Sequence, residues 1–406
     1  MNVKTLNRFR WVFCQLDVLR YCLPSSVKLF LEELPESLDG TYERMLREIK
    51  KSNQGHAHRL MQCLVAAVRP LEVKELAEVL EFDFNVEGIP KLNSGWRWED
   101  QEEAVMSACS SLVMIVKDGD SRMVQFSHFS VKEFLTANRL VEPVKDVSRY
   151  HIRLEAAHTV LAQACLGILL QLDDSVDRDS IENFPLAFYA AQHWAAHVRI
   201  ENVPSWIKDG MKCLFDADKP HFATWYWIYN KGSFGHSTSM RPEKPPAVPL
   251  YYATCFGFCD LAEHLVASHP EHINARTRAG KELTPMHIAA MSDYVDILSL
   301  LLENGADVES LDRQIMTPLH RASSGGKLEA MRCLLDHGAN INARAVDGRT
   351  PLHCAIMYSN IQATRFLLER GADVNACDND GNTLSHLAEE QEVVELLSEY
   401  GIMSVE

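Results

Sequence analysis

Thr317-Pro318-Leu319-His320-Arg321-Ala322-Ser323-Ser324-Gly325-Gly326 is the stretch on which the reading of this chain turns. Its first four residues return unchanged at Thr350 to His353, as T-P-M-H at Thr284 to His287 and as T-L-S-H at Thr383 to His386, always 33 residues apart. Each Thr is placed to cap a helix, its hydroxyl accepting from a backbone N–H that has no intrahelical partner. The Pro that follows in three of the four copies sits at the first helical position, where its missing N–H costs nothing. The His three residues on lies one turn above the Thr and is expected to bond to it or to the next unit. A second marker keeps the same interval, with Gly305, Gly338 and Gly371 opening G-A-D, G-A-N and G-A-D after apolar runs such as Leu300-Leu301-Leu302. Glycine there allows the left-handed conformation that ends a helix.

A 33-residue period with this signature is how ankyrin repeats look in sequence, helix pairs that stack into a solenoid. Thr284, His287, Gly305, Thr317, His320, Gly338, Thr350, His353, Gly371, Thr383 and His386 are therefore read as scaffold residues. A weaker first copy starts at Val248-Pro249-Leu250-Tyr251, 36 residues before Thr284, with its surplus in Ser268 to His272 and in Arg276 to Leu283. The last copy is short, Gly401 following Gly371 by 30. About five repeats over 248–406 exceed the three or so that a continuous core needs, so this part is expected to fold by itself. Recognition should use positions where the repeats differ. These are Arg276, Arg278, Asp312, Arg313, Arg344, Asp347, Asp378 and Asp380 at hairpin tips, with Asp293, Tyr294, Lys327, Tyr358 and Asn360 near the ends of the first helices.

The 406 residues carry a formal charge of −16, unevenly spread: residues 248–406 hold 11 bases against 23 acids, while residues 1–247 are nearly balanced. Nucleic acid and anionic membranes are repelled by such a surface, which points to a protein partner, one with a basic segment fitting best. The eleven cysteines are scattered, several within apolar helical patterns, as in a reducing compartment. Arg8, Arg10, Asp17 and Arg20 interrupt the first apolar run, and Glu155, His158, Gln163 and Gln171 interrupt Leu154 to Leu172. Neither a secretory leader nor a membrane span is expected, and the cytoplasm, with the nucleus as an alternative, is the expected location.

Helical periodicity predicts helices over Phe9–Cys22, Ser26–Leu34, Thr41–Ile49, His56–Val68 and Val73–Leu80, then a charged helix near Glu99–Ala108. Strands Leu112–Val116 and Met123–Phe126 flank a turn at Lys117-Asp118-Gly119-Asp120, and a helix follows from Ser130 to Leu140. Helices followed by a hairpin outline a winged helix. The helix that would enter a DNA groove carries Glu72, Glu75, Glu78 and Glu81 against Lys74 alone, the wrong sign for phosphate.

The runs F-R-W-V-F-C-Q-L-D-V-L-R (Phe9 to Arg20), L-P-E-S-L-D-G-T-Y-E-R-M-L (Leu34 to Leu46), R-P-L-E-V-K-E-L-A-E (Arg69 to Glu78), V-Q-F-S-H-F-S-V-K-E-F-L (Val124 to Leu135) and F-Y-A-A-Q-H-W (Phe188 to Trp194) resemble the segment after the nucleotidase core of fungal NACHT–ankyrin proteins, which are NLR-like STAND proteins. The resemblance implies a winged helix of the GPI inositol-deacylase type, a label for a shape, and a helical spacer before the repeats. It also implies a Walker A loop, G-x-x-x-x-G-K-[ST], for which this sequence offers only Gly280-Lys281 and Gly325-Gly326-Lys327, each without the leading glycine. No nucleotide, cofactor or metal is expected. His193 and His197 have the spacing of a zinc pair, but Trp194 stands where a zincin has Glu, so they are read as core or interface histidines. The aromatic cluster Trp225-Tyr226-Trp227-Tyr229 is read as the seam between spacer and repeats.

The expectation is thus a mainly α protein: a helical remnant over 1–50, a winged helix with a β-hairpin over 51–145, a helical spacer and Pro-rich linker over 146–247, and the ankyrin solenoid. Its expected role is a non-enzymatic intracellular adaptor. The alternatives are the sensor tail of a STAND switch whose nucleotidase lies outside this sequence and, more distantly, a lipid hydrolase-like enzyme.

Overall fold

Ser37 caps the first described helix, its hydroxyl accepting from Gly40 N at 3.1 Å, and α1 runs Leu38–Glu48. The computed structural model describes residues 37–401, except 87, 110–111, 142–145, 178, 200–203, 234–243, 279 and 389. The expected helices over Phe9–Cys22 and Ser26–Leu34, and most of the Pro-rich linker, lie outside the described residues. The chain divides into two compact units. One runs to Leu214 and resumes at Ala223, and the other joins Phe215–Phe222 to the described residues beyond position 242.

In the first unit α1 buries Tyr42, Met45 and Leu46, and the Tyr42 ring packs on Phe134 at 5.3 Å. Helix α2 spans Gln54–Ala66 and stops before Arg69-Pro70, as a proline and its restricted predecessor require. Strand β1 (Leu71–Glu72), α3 (Val73–Glu78), α4 (Gln101–Cys109), β2 (Val113–Asp118), β3 (Ser121–Phe126) and α5 (Phe129–Thr136) follow. The sheet is antiparallel in the order β1-β3-β2, with Leu71 opposite Val124 and Ile115 opposite Val124 from the other side. This is a winged helix, with Gly119 at φ +60° turning the wing.

The acidic residues of α3 and the turn after it are spent inside. Glu75 completes a capping box with Glu72 and pairs with Arg69 at 2.6 Å. Glu78 accepts from Leu186 N at 2.6 Å, and Arg97 bridges to Glu81 at 3.1 Å. Glu75, Glu78 and Glu81 are all buried, and desolvation pushes the Glu78 carboxyl up to about 8. The helix that would read a groove thus turns its acids inward, toward Leu186 and Arg97.

The rest of this unit is helical: α6 (Leu154–Leu169), α7 (Leu186–His197), α8 (Ser205–Leu214) and α9 (His221–Ser233), whose first two residues belong to the second unit. Gly167 lets α6 approach closely, since a Cβ there would lie 2.6 Å from the Pro90 carbonyl. Trp225 packs into the core of the first unit, its indole N–H donating to Ala191 O at 3.1 Å and its ring meeting Trp194 edge-on. His197 is fully buried between Tyr189 Oη at 2.9 Å and His158 Nδ1 at 3.0 Å. Among the described residues no helix is long and apolar enough to cross a membrane.

The second unit stacks helix pairs: α10 (Pro249–Phe256) with α11 (Cys259–Ser268), α12 (Pro285–Ser292) with α13 (Val295–Glu303), α14 (Pro318–Ser324) with α15 (Leu328–Asp336), α16 (Pro351–Met357) with α17 (Ile361–Glu369), and a short α18 (Leu384–Leu387) with α19 (Gln391–Glu399). Leu250, Ile297, Leu301, Leu319, Leu334, Leu352 and Leu367 are buried along its length.

Candidate protein-binding surface of the repeats

The repeat signature turns out to be a set of bonds that closes the start of each first helix and, at His287 and His320, ties it to the next repeat. Thr284, Thr317 and Thr350 cap α12, α14 and α16, and the His at the third helical position returns the favour, its Nδ1 accepting from the Thr backbone N–H at 3.3, 3.1 and 3.2 Å. This is a capping box with imidazole in place of the usual carboxylate or amide. Because Nδ1 accepts, the ring proton sits on Nε2, which His287 donates to Met316 O at 3.0 Å and His320 to Arg349 O at 3.1 Å, each in the next repeat. Burial holds all three imidazoles below their usual range, His320 at about 4. Thr383 and His386 repeat the pairing at 2.8 Å in the last, more exposed copy.

A second ladder joins the hairpin tips. Arg278 N donates to Pro246 O at 2.7 Å, Arg313 N to Lys281 O at 2.9 Å, Val346 N to Gln314 O at 3.0 Å and Asn379 N to Asp347 O at 2.9 Å. With amides paired along the row, the tips present side chains on a fixed backbone.

The thirteen candidate contact residues do not all reach that surface. Arg276, Arg278, Arg313, Arg344, Tyr358 and Asp380 are exposed, and Asp293, Tyr294, Lys327, Asp347 and Asn360 are half-buried. Asp312 and Asp378 are buried and are turn-formers instead. Asp312 Oδ1 accepts from Gln314 N at 2.7 Å and Met316 N at 3.0 Å, while its Oδ2 holds Arg321. Asp378 Oδ1 likewise accepts from Asp380 N at 3.0 Å and Asn382 N at 2.9 Å. Aspartate closing a turn on its own backbone explains why the same residue type recurs at tips, and it removes both from recognition. Asp293 and Asn360 act between repeats, the first accepting from Ala330 N at 2.8 Å, the second donating to Ser324 O at 2.9 Å. Tyr294 lies over Gly257, where a Cβ would come within 2.9 Å of the ring.

Sequence reading named Tyr358 but missed the other apolar members of the surface. Ile315, Val346, Met291, Met357 and Tyr358 are large and exposed, Tyr358 at 63% and Val346 at 57%. Ile315 stands out further. Its φ is +58°, in the place where the two following repeats carry Gly348 and Gly381 at +79° and +82°. A β-branched residue in the left-handed region is a true conformational outlier. Register comparison at the 33-residue interval would have found it, because glycine is the residue that this position of the hairpin calls for.

Comparison with known proteins agrees with these architectures. The family of ankyrin repeats (3 copies) matches residues 250–345 and again 342–405, and the winged helix domain of GPI inositol-deacylase matches residues 42–143. The chain therefore carries ankyrin repeats behind a winged helix of that type. It is 30% identical over 302 residues to azaphilone pigments biosynthesis cluster protein L of Monascus ruber, covering 70% of this chain and 62% of that one. It is 31% identical over 223 residues to vegetative incompatibility protein HET-E-1 of Podospora anserina, covering 49% of this chain and 15% of that protein. Alpha-latrocrustotoxin-Lt1a of Latrodectus tredecimguttatus is 36% identical over 62 residues, 15% of this chain and 4% of the toxin. The chain thus spans less than two thirds of each of these relatives.

Proposed function

We propose that this chain is a non-enzymatic adaptor that recognises a protein through the hairpin tips and inner-helix ends of its ankyrin repeats. The observation that carries this reading is Ile315, an exposed β-branched side chain at positive φ where the two following repeats use glycine and the preceding one places Glu282 at +55°. Holding such a residue left-handed costs roughly 1–2 kcal/mol, a cost with no return inside the fold and a ready one at an interface. Ile315→Gly should therefore leave the stack as stable or more so, by up to about 1 kcal/mol after the entropy cost of glycine, while weakening partner binding severalfold. Affinity capture with the parent and the Ile315→Gly chain, each checked by thermal melting, tests this. A variant that captures the same proteins with the same affinity would remove Ile315 from recognition.

The terminal repeat supports a partner with a basic segment. Residues 351–406 hold two bases against ten acids, and both bases are engaged, Arg365 with Glu399 at 3.2 Å and Arg370 with Asp336 at 3.1 Å. Glu390, Glu392 and Glu395 are exposed beside them. Glu392→Lys with Glu395→Lys should slow association with a captured partner severalfold at low ionic strength and leave the melting temperature unchanged. If association is untouched while Tyr358→Ala abolishes it, the acidic end serves solubility alone.

A second reading is favoured by the 223-residue likeness to the incompatibility protein. In it the same repeats and winged helix are the sensor part of a nucleotide-driven STAND switch whose P-loop lies outside this sequence. Mapping the 5′ end of the transcript and translating what precedes Met1 in frame decides between the two.

A further inference from the structure

The first repeat ends differently from the others. Where α13, α15 and α17 are followed by Gly305, Gly338 and Gly371 at positive φ, α11 runs into His269-Pro270-Glu271-His272 and a 3₁₀ turn over Pro270–His272. Side chains three apart eclipse in such a turn. His269 and His272 accordingly lie ring over ring, centroids 5.2 Å apart and planes 23° apart. The Glu271 carboxylate reaches 3.4 Å from His269 Nδ1 and 4.0 Å from His272 Nε2.

A second set of donors meets them. One atom each of His269, Glu271 and His272 lies within 4.8 Å of the others, and so does one atom each of Asp216, Asp218 and His269. The two aspartates come from Phe215–Phe222, the short stretch that belongs to the same compact unit as the repeats. Asp216 is engaged with Lys219 at 3.1 Å and accepts from the Asp218 backbone N–H at 3.1 Å, which leaves the Asp218 carboxylate to face the histidines. His272 Nδ1 is buried without a hydrogen-bond partner among the described residues.

We propose that His269, Glu271, His272 and Asp218 form a divalent transition-metal site of the zinc class, with Asp216 positioning Asp218. Two imidazoles with two carboxylates suit zinc, whereas calcium and magnesium take oxygen ligands. Donors about 2.0–2.2 Å from a tetrahedral ion lie closer together than 4.8 Å, a difference that side-chain rotation can close. The ion would pin Phe215–Phe222 to the end of the first repeat, where the other repeats end their second helix on glycine. The surplus residue in Ser268 to His272 is then what makes room for the second imidazole.

The test uses the full chain, stripped with a chelator and titrated with Zn²⁺ by calorimetry and with Co²⁺ by absorption. One equivalent should bind with a Kd of about 1 µM or below, and His269→Ala and His272→Ala should each weaken it at least about tenfold. Co²⁺ should give visible ligand-field bands without the near-ultraviolet charge transfer of thiolates, which matters in a chain with 11 cysteines. Asp218→Asn, at an exposed position, should also weaken binding and cannot unsettle a core, so it carries the test if a histidine variant fails to fold. Saturable binding that survives these substitutions, a thiolate band, or no binding tighter than about 100 µM would overturn the proposal.

Discussion

Asp312→Ala lowers the stability of the repeat stack by roughly 3–5 kcal/mol, the range for removing one partner of a buried ion pair. The loss follows from what the carboxylate holds: two backbone amides of its own hairpin at 2.7 and 3.0 Å, and the guanidinium of Arg321, whose side chain is itself nearly buried. Alanine leaves those amides without their acceptor and that guanidinium without its carboxylate, with Gln314 Oε1 still within 2.9 Å of it. Hydrogen exchange in the full chain, read on peptides from 285–369, should show the protection of α12 to α16 collapsing together, since each repeat leans on its neighbours. Asp380→Ala, at an exposed tip, should change the same peptides by no more than about 0.5 kcal/mol. Equal effects for the two substitutions would mean that Asp312 is an ordinary surface residue after all.

Acid should loosen the repeats well before it titrates most carboxylates. His287, His320 and His353 each accept a backbone N–H at Nδ1, so protonation removes the acceptor as well as burying a charge. Their folded pKa values lie below the unfolded value near 6.5, so the unfolded chain binds more protons and stability falls as the pH drops below that value toward the folded one. For His320, held at about 4, the loss by pH 5 is about 2 kcal/mol, and the other two add to it. Hydrogen exchange on the same peptides between pH 7.5 and 4.5, corrected for intrinsic rates, measures the slope. His320→Gln, which restores a usual capping-box residue, should flatten the slope by about one proton. A stability independent of pH from 7 to 5 would contradict this account.

The fold was largely legible because its signals are local and repeated. Thr at the cap, Pro at the first helical position and Gly after the second helix each state a backbone requirement, and a 33-residue period states it several times. The hairpin of the winged helix was visible for the same reason, as two β-rich runs about a turn. Strand β1 was not, because Leu71–Glu72 is two residues long and becomes a strand only by pairing with Met123 and Val124.

The recognition surface was harder to see. Charge marks exposure in most sequences, so Asp312 and Asp378 looked like surface residues, whereas their carboxylates are consumed by their own turns. Ile315 was passed over because an isolated isoleucine reads as core, and only its backbone angle shows what it costs. The histidine and aspartate cluster was invisible for a different reason, since Asp216 and His269 are more than fifty residues apart and meet only through the packing of Phe215–Phe222.

The donation from His287 and His320 to a carbonyl 29 residues ahead, together with the tip-to-tip amides, gives neighbouring junctions in the stack the same plug and socket. A whole unit copied or dropped by recombination would find a fitting neighbour on either side without a new core having to be invented. What the copied unit brings is its own tip, such as the isoleucine that stands between a glutamate in the repeat before and a glycine in the repeat after. A chain built on interchangeable joints can thus acquire a new specificity by rearranging modules, faster than point changes could redesign a single surface.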